Sequence, residues 1–182
     1  YDENSNQAFA SATNDIDPSS HDRVDYINDG DHSENRRWTN WSPTPSSNPE
    51  VSAGVIFREN GKIVERTVAQ AKLHFFADSG TDAPSKLVLE RYVGPEFEVP
   101  TYYSNYQAYD ADHPFNNPEN WEAVPYRADK DIEAGDEINV TFKAVKAKAM
   151  RWRMERKADK KGVAIIEMTF LAPSELPQES TQ

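Results

Sequence analysis

Asp25-Tyr26-Ile27-Asn28-Asp29-Gly30-Asp31 and Ala164-Ile165-Ile166-Glu167 are the two segments that most constrain the fold of this 182-residue chain. The first is an acidic turn that runs on into Arg37-Trp38-Thr39-Asn40-Trp41, and the second places one carboxylate within an apolar run. A carboxylate in apolar surroundings requires a cation or a proton, because an unpaired buried charge is costly. If both segments bind the same ion, the first and last parts of the chain are held together.

The composition is that of one acidic domain. Hydrophobic residues make up 37% of the chain, which is enough for a core, and the formal net charge is -11. That charge argues against a nucleic-acid partner and against an anionic membrane, and no apolar run approaches the ~18 residues of a membrane span. The absence of cysteine excludes disulfides and thiolate metal sites. A neutral ligand such as a sugar is compatible with this surface.

Strand signals dominate the sequence. Asn60-Gly61 lies between apolar runs and predicts a tight hairpin, and alternating apolar residues predict strands over 86–91, 138–143 and 163–171. About eight or more short strands separated by turn residues are typical of a β-sandwich or jelly roll. We therefore predict an all-β fold without a long helix.

Residues 149–155 have the composition of a helix but the pattern of a strand. Met150, Trp152 and Met154 alternate with charged residues. We predict a strand that buries the apolar residues and exposes Arg151, Arg153 and Glu155 to solvent.

The sequence pattern divides the chain into three parts. We expect residues 1–7 to be a flexible end, residues 8–172 to be a single domain and residues 173–182 to be a linker. Gly94–Asn120 is a long tyrosine-rich insertion, and loops of this length are usually functional or disordered.

Glu167 lies on the last predicted strand, where strict alternation groups it with Val163, Ile165 and Thr169. Two explanations of its charge are open from chemistry alone: a basic partner or a strand end in water, and a calcium ion. The acidic turn is not an EF-hand loop, because Glu34 and Asn40 stand where that motif needs glycine and a bidentate glutamate.

The order and spacing of several motifs between Ala8 and Leu171 resemble the discoidin family, that is, the coagulation-factor C-domain or galactose-binding-like superfamily. The motifs are Asn28-Asp29-Gly30, Arg37-Trp38-Thr39-Asn40-Trp41, Phe75-Phe76-Ala77-Asp78, Ala83-Pro84-Ser85-Lys86-Leu87-Val88-Leu89-Glu90, Asn120-Trp121-Glu122-Ala123-Val124 and Ala164-Ile165-Ile166-Glu167. The sequence is also similar to the non-catalytic modules of streptococcal-type cell-surface β-galactosidases.

The resemblance implies a structural calcium ion. Its ligands would be the side chains of Asp29 and Glu167 and the main-chain oxygens of Tyr26, Asp31 and Ile166. The family usually has Thr or Ser two residues before the first tryptophan of the motif. This chain has Arg36 there.

The resemblance also implies sugar contacts after the first tryptophan and in the loop 77–84. These are Thr39, Asn40 and Trp41, with Asp78 and Asp82 from the loop. An aromatic face stacks on a pyranose ring while fixed polar groups bind its hydroxyls. Trp38 and Trp152 are assigned to the core.

A second candidate is the tyrosine-rich insertion. Tyr102, Tyr103 and Tyr106 could form a sugar platform with Trp121, or the aromatic residues could pack on themselves as a small core. Both alternatives are open at this point.

The function implied is that of a non-catalytic carbohydrate-binding module for terminal β-galactosides such as lactose and N-acetyllactosamine. We expect it to be a monomeric part of a larger extracellular protein at the bacterial cell surface, where it attaches a β-galactosidase or its cell to host glycans. No catalytic motif such as G-x-S-x-G or H-E-x-x-H is present. The alternative is a non-sugar adhesion or spacer module with a protein partner.

Overall fold

Short β-strands make up most of the computed structural model, which describes residues 6–12, 22–100 and 111–173. The strands are β1 (Gln7–Ala10), β2 (Trp38–Thr39), β3 (Glu50–Ile56), β4 (Arg58–Glu59), β5 (Lys62–Ile63), β6 (Arg66–Phe75), β7 (Thr81–Asp82), β8 (Lys86–Tyr92), β9 (Trp121–Ala123), β10 (Tyr126–Ala128), β11 (Ile138–Ala147), β12 (Ala149–Glu155) and β13 (Gly162–Leu171). Within these ranges the helices are short 3-10 turns over Val24–Asn28, Pro114–Asn116 and Pro118–Asn120. None of them is long and apolar enough to cross a membrane.

Two antiparallel sheets form a β-sandwich. The strand order is β1-β3-β12-β8-β9 in the five-stranded sheet and β10-β11-β6-β13-β2 in the six-stranded sheet, with β7 parallel to the start of β13. Buried side chains from both sheets form the main core. The all-β, galactose-binding-like sandwich predicted from sequence is confirmed.

The local signals of the sequence are also confirmed. Asn60 and Gly61 have φ values of 52° and 76° and join β4 to β5 as a two-residue hairpin. Residues 149–155 form the strand β12, with Met150, Trp152 and Met154 in the main core. Alternation therefore outweighed helix propensity, because burial of one face stabilises the strand.

The exposure predicted for Arg151 is wrong. Its side chain is buried, and its Nε lies 2.8 Å from Oε1 of buried Glu90. Its Nη1 donates to the Phe115 carbonyl at 3.3 Å, and its guanidinium lies 4.1 Å from the centroid of the Trp121 ring. The C-terminal part of the insertion covers this face of the sheet. The alternation of residues within β12 cannot predict that a distant segment buries Arg151.

The face predicted for Glu167 is also wrong, because β13 contains a bulge. Ile165 pairs with Phe75 and Glu167 with the next residue, His74, so that Ile166 is an extra residue in the strand. Val163 and Ile165 therefore share the main core with Met168 and Phe170. Glu167 is turned from that core towards the 3-10 turn and Gly30.

Candidate functional site

In the segment 37–41, some side chains are buried in the core and others line an open cavity. Trp38 is fully buried and donates from Nε1 to the Ala12 carbonyl at 3.0 Å. Arg37, Thr39 and Trp41 all line the cavity. Thr39 fixes the segment, because its hydroxyl donates to the Val163 carbonyl at 2.7 Å and accepts from the Trp41 N–H at 3.0 Å.

The cavity has a volume of about 300 Å³ and is closed on one side by the loop before β7. Trp41 is half-buried, and Gly80 of this loop lies against the edge of its indole ring. A Cβ atom at Gly80 would lie 2.5 Å from Trp41 Nε1, so only glycine allows this approach. The loop therefore holds the indole in place and leaves it at the cavity.

Arg37 supplies a fixed cation to the lining of the cavity. Its Nε lies 3.3 Å from Asp22 Oδ1, and its guanidinium lies 4.4 Å from the centroid of the Phe76 ring. Asp22 lines the same cavity. Neither residue was predicted from the sequence to contact a ligand. The spacing could have indicated Arg37, because residues 37, 39 and 41 of an extended segment point to the same side.

Asp78 is the carboxylate at the cavity. Its Oδ1 accepts three hydrogen bonds of 2.9 Å, from the Gly80 N–H and from the N–H and hydroxyl of Thr81. Partial burial acts to raise the pKa of Asp78, but these hydrogen bonds outweigh it and hold the pKa below the ordinary value. Asp78 is therefore a fixed, ionised acceptor, and Oδ2 is the oxygen it can offer to a ligand.

The remaining predicted sugar contacts lie elsewhere. Asn40 accepts from the Val163 N–H through Oδ1 at 2.9 Å, and Asp82 pairs with Lys157 at 3.3 Å. Trp121 is 6% exposed. It pairs with Tyr92, the last residue of β8, whereas Lys86 at the start of β8 pairs with Glu155 of β12. Tyr102, Tyr103 and Tyr106 fall outside the described residues.

The described ends of the insertion form a second apolar cluster with the edge of the sheet. Phe115 and Trp121 pack with Phe9 and Tyr92, and Phe97 packs against them. Trp121 donates from Nε1 to the Phe115 carbonyl at 3.1 Å. This packing favours the small-core alternative for Trp121 over the platform alternative.

The acidic turn and Glu167 meet as the sequence predicts. Glu167 is 5% exposed, and the Gly30 N–H lies 3.1 and 3.2 Å from its two oxygens. Burial raises the pKa of Glu167 to about 8, and the nearby Asp29 and Glu137 carboxylates add to this effect while the Gly30 N–H opposes it. Asp29 and Glu167 are two neighbouring carboxylates, and a cation bound between them would reduce their mutual repulsion.

The residues fit a calcium ion in their chemistry. Ile166 is the bulged residue, so its peptide group is displaced from the regular ladder. In the described ranges no group of three or more His, Asp or Glu side chains is arranged to hold a metal. A site here would therefore consist of two carboxylates and main-chain oxygens, which are ligands that calcium accepts.

Arg36 takes part in this turn. Its Nε lies 2.8 Å from Asp29 Oδ2 and 3.4 Å from Asp31 Oδ2, and its guanidinium lies 4.1 Å from the centroid of the Tyr26 ring. A cation from the protein itself thus compensates part of the charge of Asp29.

A β-sandwich whose end loops place an indole, a guanidinium and a carboxylate around an open cavity has the organisation of a carbohydrate-binding module. Residues 8–168 match the family model described as beta-galactosidase-like, galactose-binding domain. The chain belongs to this family, and the resemblance seen in the sequence is confirmed.

Solved structures agree with this assignment. A structure of the Streptococcus pneumoniae beta-galactosidase BgaA is 94% identical and covers 94% of this chain and 99% of that chain, with a TM-score of 0.90. A search of curated proteins found no match.

More distant structures share only the fold. The Clostridium perfringens module CpGH89CBM32-5, in complex with GalNAc-beta-1,3-galactose, has a TM-score of 0.58 at 12% identity over 92% of this chain and 95% of that chain. Chitosan-binding module 2 of a Paenibacillus sp. IK-5 chitosanase/glucanase, in complex with chitotriose, has a TM-score of 0.54 at 16% identity over 92% and 96%.

Proposed function

We propose that this module binds terminal β-galactosides, such as lactose and N-acetyllactosamine, in the cavity beside Trp41. The observation that carries the proposal is the meeting of Trp41, Arg37 and Asp78 at one opening. The indole offers a stacking face, and the two fixed charges offer a donor and an acceptor to the hydroxyls of galactose. The printed name of the family supports galactose as the sugar.

A calorimetric titration tests this proposal. Lactose and cellobiose differ in the axial hydroxyl of the terminal sugar, so we expect binding of lactose and much weaker binding of cellobiose. Trp41→Ala should weaken lactose binding by at least about tenfold, since the stacking surface is lost. Lys143→Ala, on exposed β11, is the matched control and should bind as the wild type does.

Three results would contradict the proposal. Equal affinity for lactose and cellobiose would exclude recognition of galactose. An absence of binding to any galactoside on a glycan array would favour a non-sugar adhesion or spacer module. A triple alanine variant of Tyr102, Tyr103 and Tyr106, titrated separately, distinguishes the insertion from the cavity: loss of binding there, with Trp41→Ala unaffected, would move the site to the insertion.

The biological role we propose is attachment. The module would act without catalysis of its own, as a monomeric part of a larger β-galactosidase at the bacterial cell surface. It would hold the enzyme, or the cell that carries it, near galactose-terminated host glycans. The identity with a segment of the BgaA β-galactosidase supports this placement.

We further propose that a structural calcium ion binds between the acidic turn and β13. Asp29 and Glu167 would contribute carboxylates, and Tyr26, Asp31 and Ile166 would contribute main-chain oxygens. Bound calcium would neutralise the two carboxylates and fasten the turn to the last strand. An unchanged melting temperature after chelation, measured by calorimetry, would contradict this proposal.

A further inference from the structure

A second cavity of about 330 Å³ adjoins the Trp41 cavity. Asn40 and Ser42 line it, whereas Thr39 and Trp41 line the first cavity. Successive side chains of this segment thus line the two cavities in turn, because side chains of an extended chain alternate between its two faces.

The outer wall of the second cavity is the loop 42–49, which is held in place by Arg156. The guanidinium of Arg156 donates to the Asn48 carbonyl at 3.1 Å and to the Ser46 carbonyl at 2.7 Å. The Ser42 hydroxyl accepts from the Thr44 N–H at 3.2 Å. This wall is therefore polar and fixed by several contacts.

The turn between β12 and β13 supplies an unpaired cation. Lys157 pairs with Asp82 at 3.3 Å, and the Lys160 ammonium donates to the Asp78 carbonyl at 2.9 Å. Lys161 lines the second cavity, and its ammonium has no hydrogen bond or ion pair with any residue that the structure describes.

The charge balance of the second cavity is positive. Arg156 and Lys161 are its cationic residues, and Glu50 is the acidic one. The Glu50 carboxylate lies 3.2 Å from Arg153 Nη1, so its charge is already compensated. A positive depression in a chain of net charge -11 is a local exception to the overall electrostatics.

The two cavities share a wall. The Lys161 N–H donates to the Gly80 carbonyl at 3.0 Å, and Gly80 lines the first cavity. A Cβ atom at the next residue, Gly162, would lie 2.7 Å from the Trp41 nitrogen. The linings of the two cavities are therefore in direct contact.

We propose that the second cavity binds an anionic substituent of the glycan whose galactose lies in the first cavity, with Lys161 as the charged contact. This inference rests on the proposed function. The shared chemistry is a compact anion with oxygen acceptors, which is offered by a sulfate ester or by a phosphate ester on the sugar that follows the terminal galactose. An ammonium donates to either group, whereas a neutral glycan leaves Lys161 in water.

The test compares three glycans by calorimetric titration: N-acetyllactosamine, its form sulfated at O6 of the N-acetylglucosamine, and its form phosphorylated at the same oxygen. We expect at least one acidic glycan to bind about two- to fivefold more tightly than the neutral one, the range of an exposed charge contact. High salt should reduce the preference. Lys161→Met should abolish it, and Lys143→Met, the matched lysine control, should retain it.

Each outcome has a separate meaning. A preference for the sulfated or the phosphorylated glycan alone supports the inference and identifies the anion. Binding of N-acetyllactosamine with no preference for either acidic glycan, or a preference that survives Lys161→Met, overturns the inference but leaves the proposed function intact. If even N-acetyllactosamine does not bind, the proposed function fails as well.

Discussion

Arg36 is the residue of the acidic turn that departs most clearly from the discoidin pattern. Where that pattern has Thr or Ser, this chain places a guanidinium 2.8 Å from Asp29 Oδ2. The arginine competes with an added cation for the same carboxylate. At the same time it holds Asp29 in position.

We predict that Arg36→Thr increases calcium affinity by about tenfold, because it removes a like charge and adds a hydroxyl ligand. Calorimetric titration with calcium measures the change. Arg127→Thr, on exposed β10, is the control for loss of a positive charge and should leave the affinity unchanged. An equal or weaker affinity in Arg36→Thr would show that Arg36 supports the site rather than competes with it.

At the scale of elements, the loop before β7 and the segment that continues from β2 together form the cavity beside Trp41. Trp41 is oriented by Thr39 on one side and by Gly80 on the other. The Thr39 contact is local in sequence, but Gly80 is distant from Trp41. The orientation of the indole therefore also depends on the position of the loop before β7, and β7 pairs in parallel with the start of β13.

We predict that Gly80→Ala weakens lactose binding by at least about tenfold, because a Cβ 2.5 Å from Nε1 displaces the indole. Lys143→Ala is the control, since Lys143 is exposed and does not line the cavity. Lactose titration of both variants measures the effect. Wild-type affinity in Gly80→Ala would mean that the indole orientation is irrelevant to the ligand.

Local patterns predicted the elements well and the relations between elements less well. Alternation identified β12, and Asn60-Gly61 identified the hairpin. The bulge at Ile166 and the burial of Arg151 could not be predicted, because both arise from partners distant in the sequence. Among the candidate contacts, Trp41 and Asp78 line one cavity with Thr39. Arg37 was missed because the resemblance placed the sugar contacts after the first tryptophan, and Arg37 comes before it.

At the scale of the whole molecule, Glu167 connects the beginning of the described chain to its last strand. Its two oxygens face the Gly30 N–H across 137 positions of sequence. Without a cation, burial raises its pKa to about 8 from an ordinary value of 4.5. A raised pKa means that the folded state favours the protonated form, so this contribution to stability is fully present below pH 4.5 and decreases as the pH rises towards 8.

We therefore predict that in chelator the free energy of unfolding falls by about 1 kcal/mol between pH 6.5 and 8. His74 acts in the opposite sense, because burial and His32 lower its pKa below the ordinary value of 6.5, and the end of its titration offsets part of the fall at the start of this window. Saturating calcium should remove the dependence, and so should Glu167→Gln. Denaturant unfolding at several pH values measures it. A stability in chelator that rises with pH across this window would contradict the assignment.

The most direct test of galactoside binding beside Trp41 uses the four tryptophans of the chain. Each indole N–H gives one cross-peak in a nitrogen–proton correlation spectrum, and single Trp→Phe variants assign the peaks. During a lactose titration we expect the Trp41 indole peak to shift progressively, while the peaks of Trp38, Trp121 and Trp152 stay in place because these rings are buried away from the cavity. A shift of the Trp121 peak with a stationary Trp41 peak, or no shift of any peak at saturating lactose, would contradict the account.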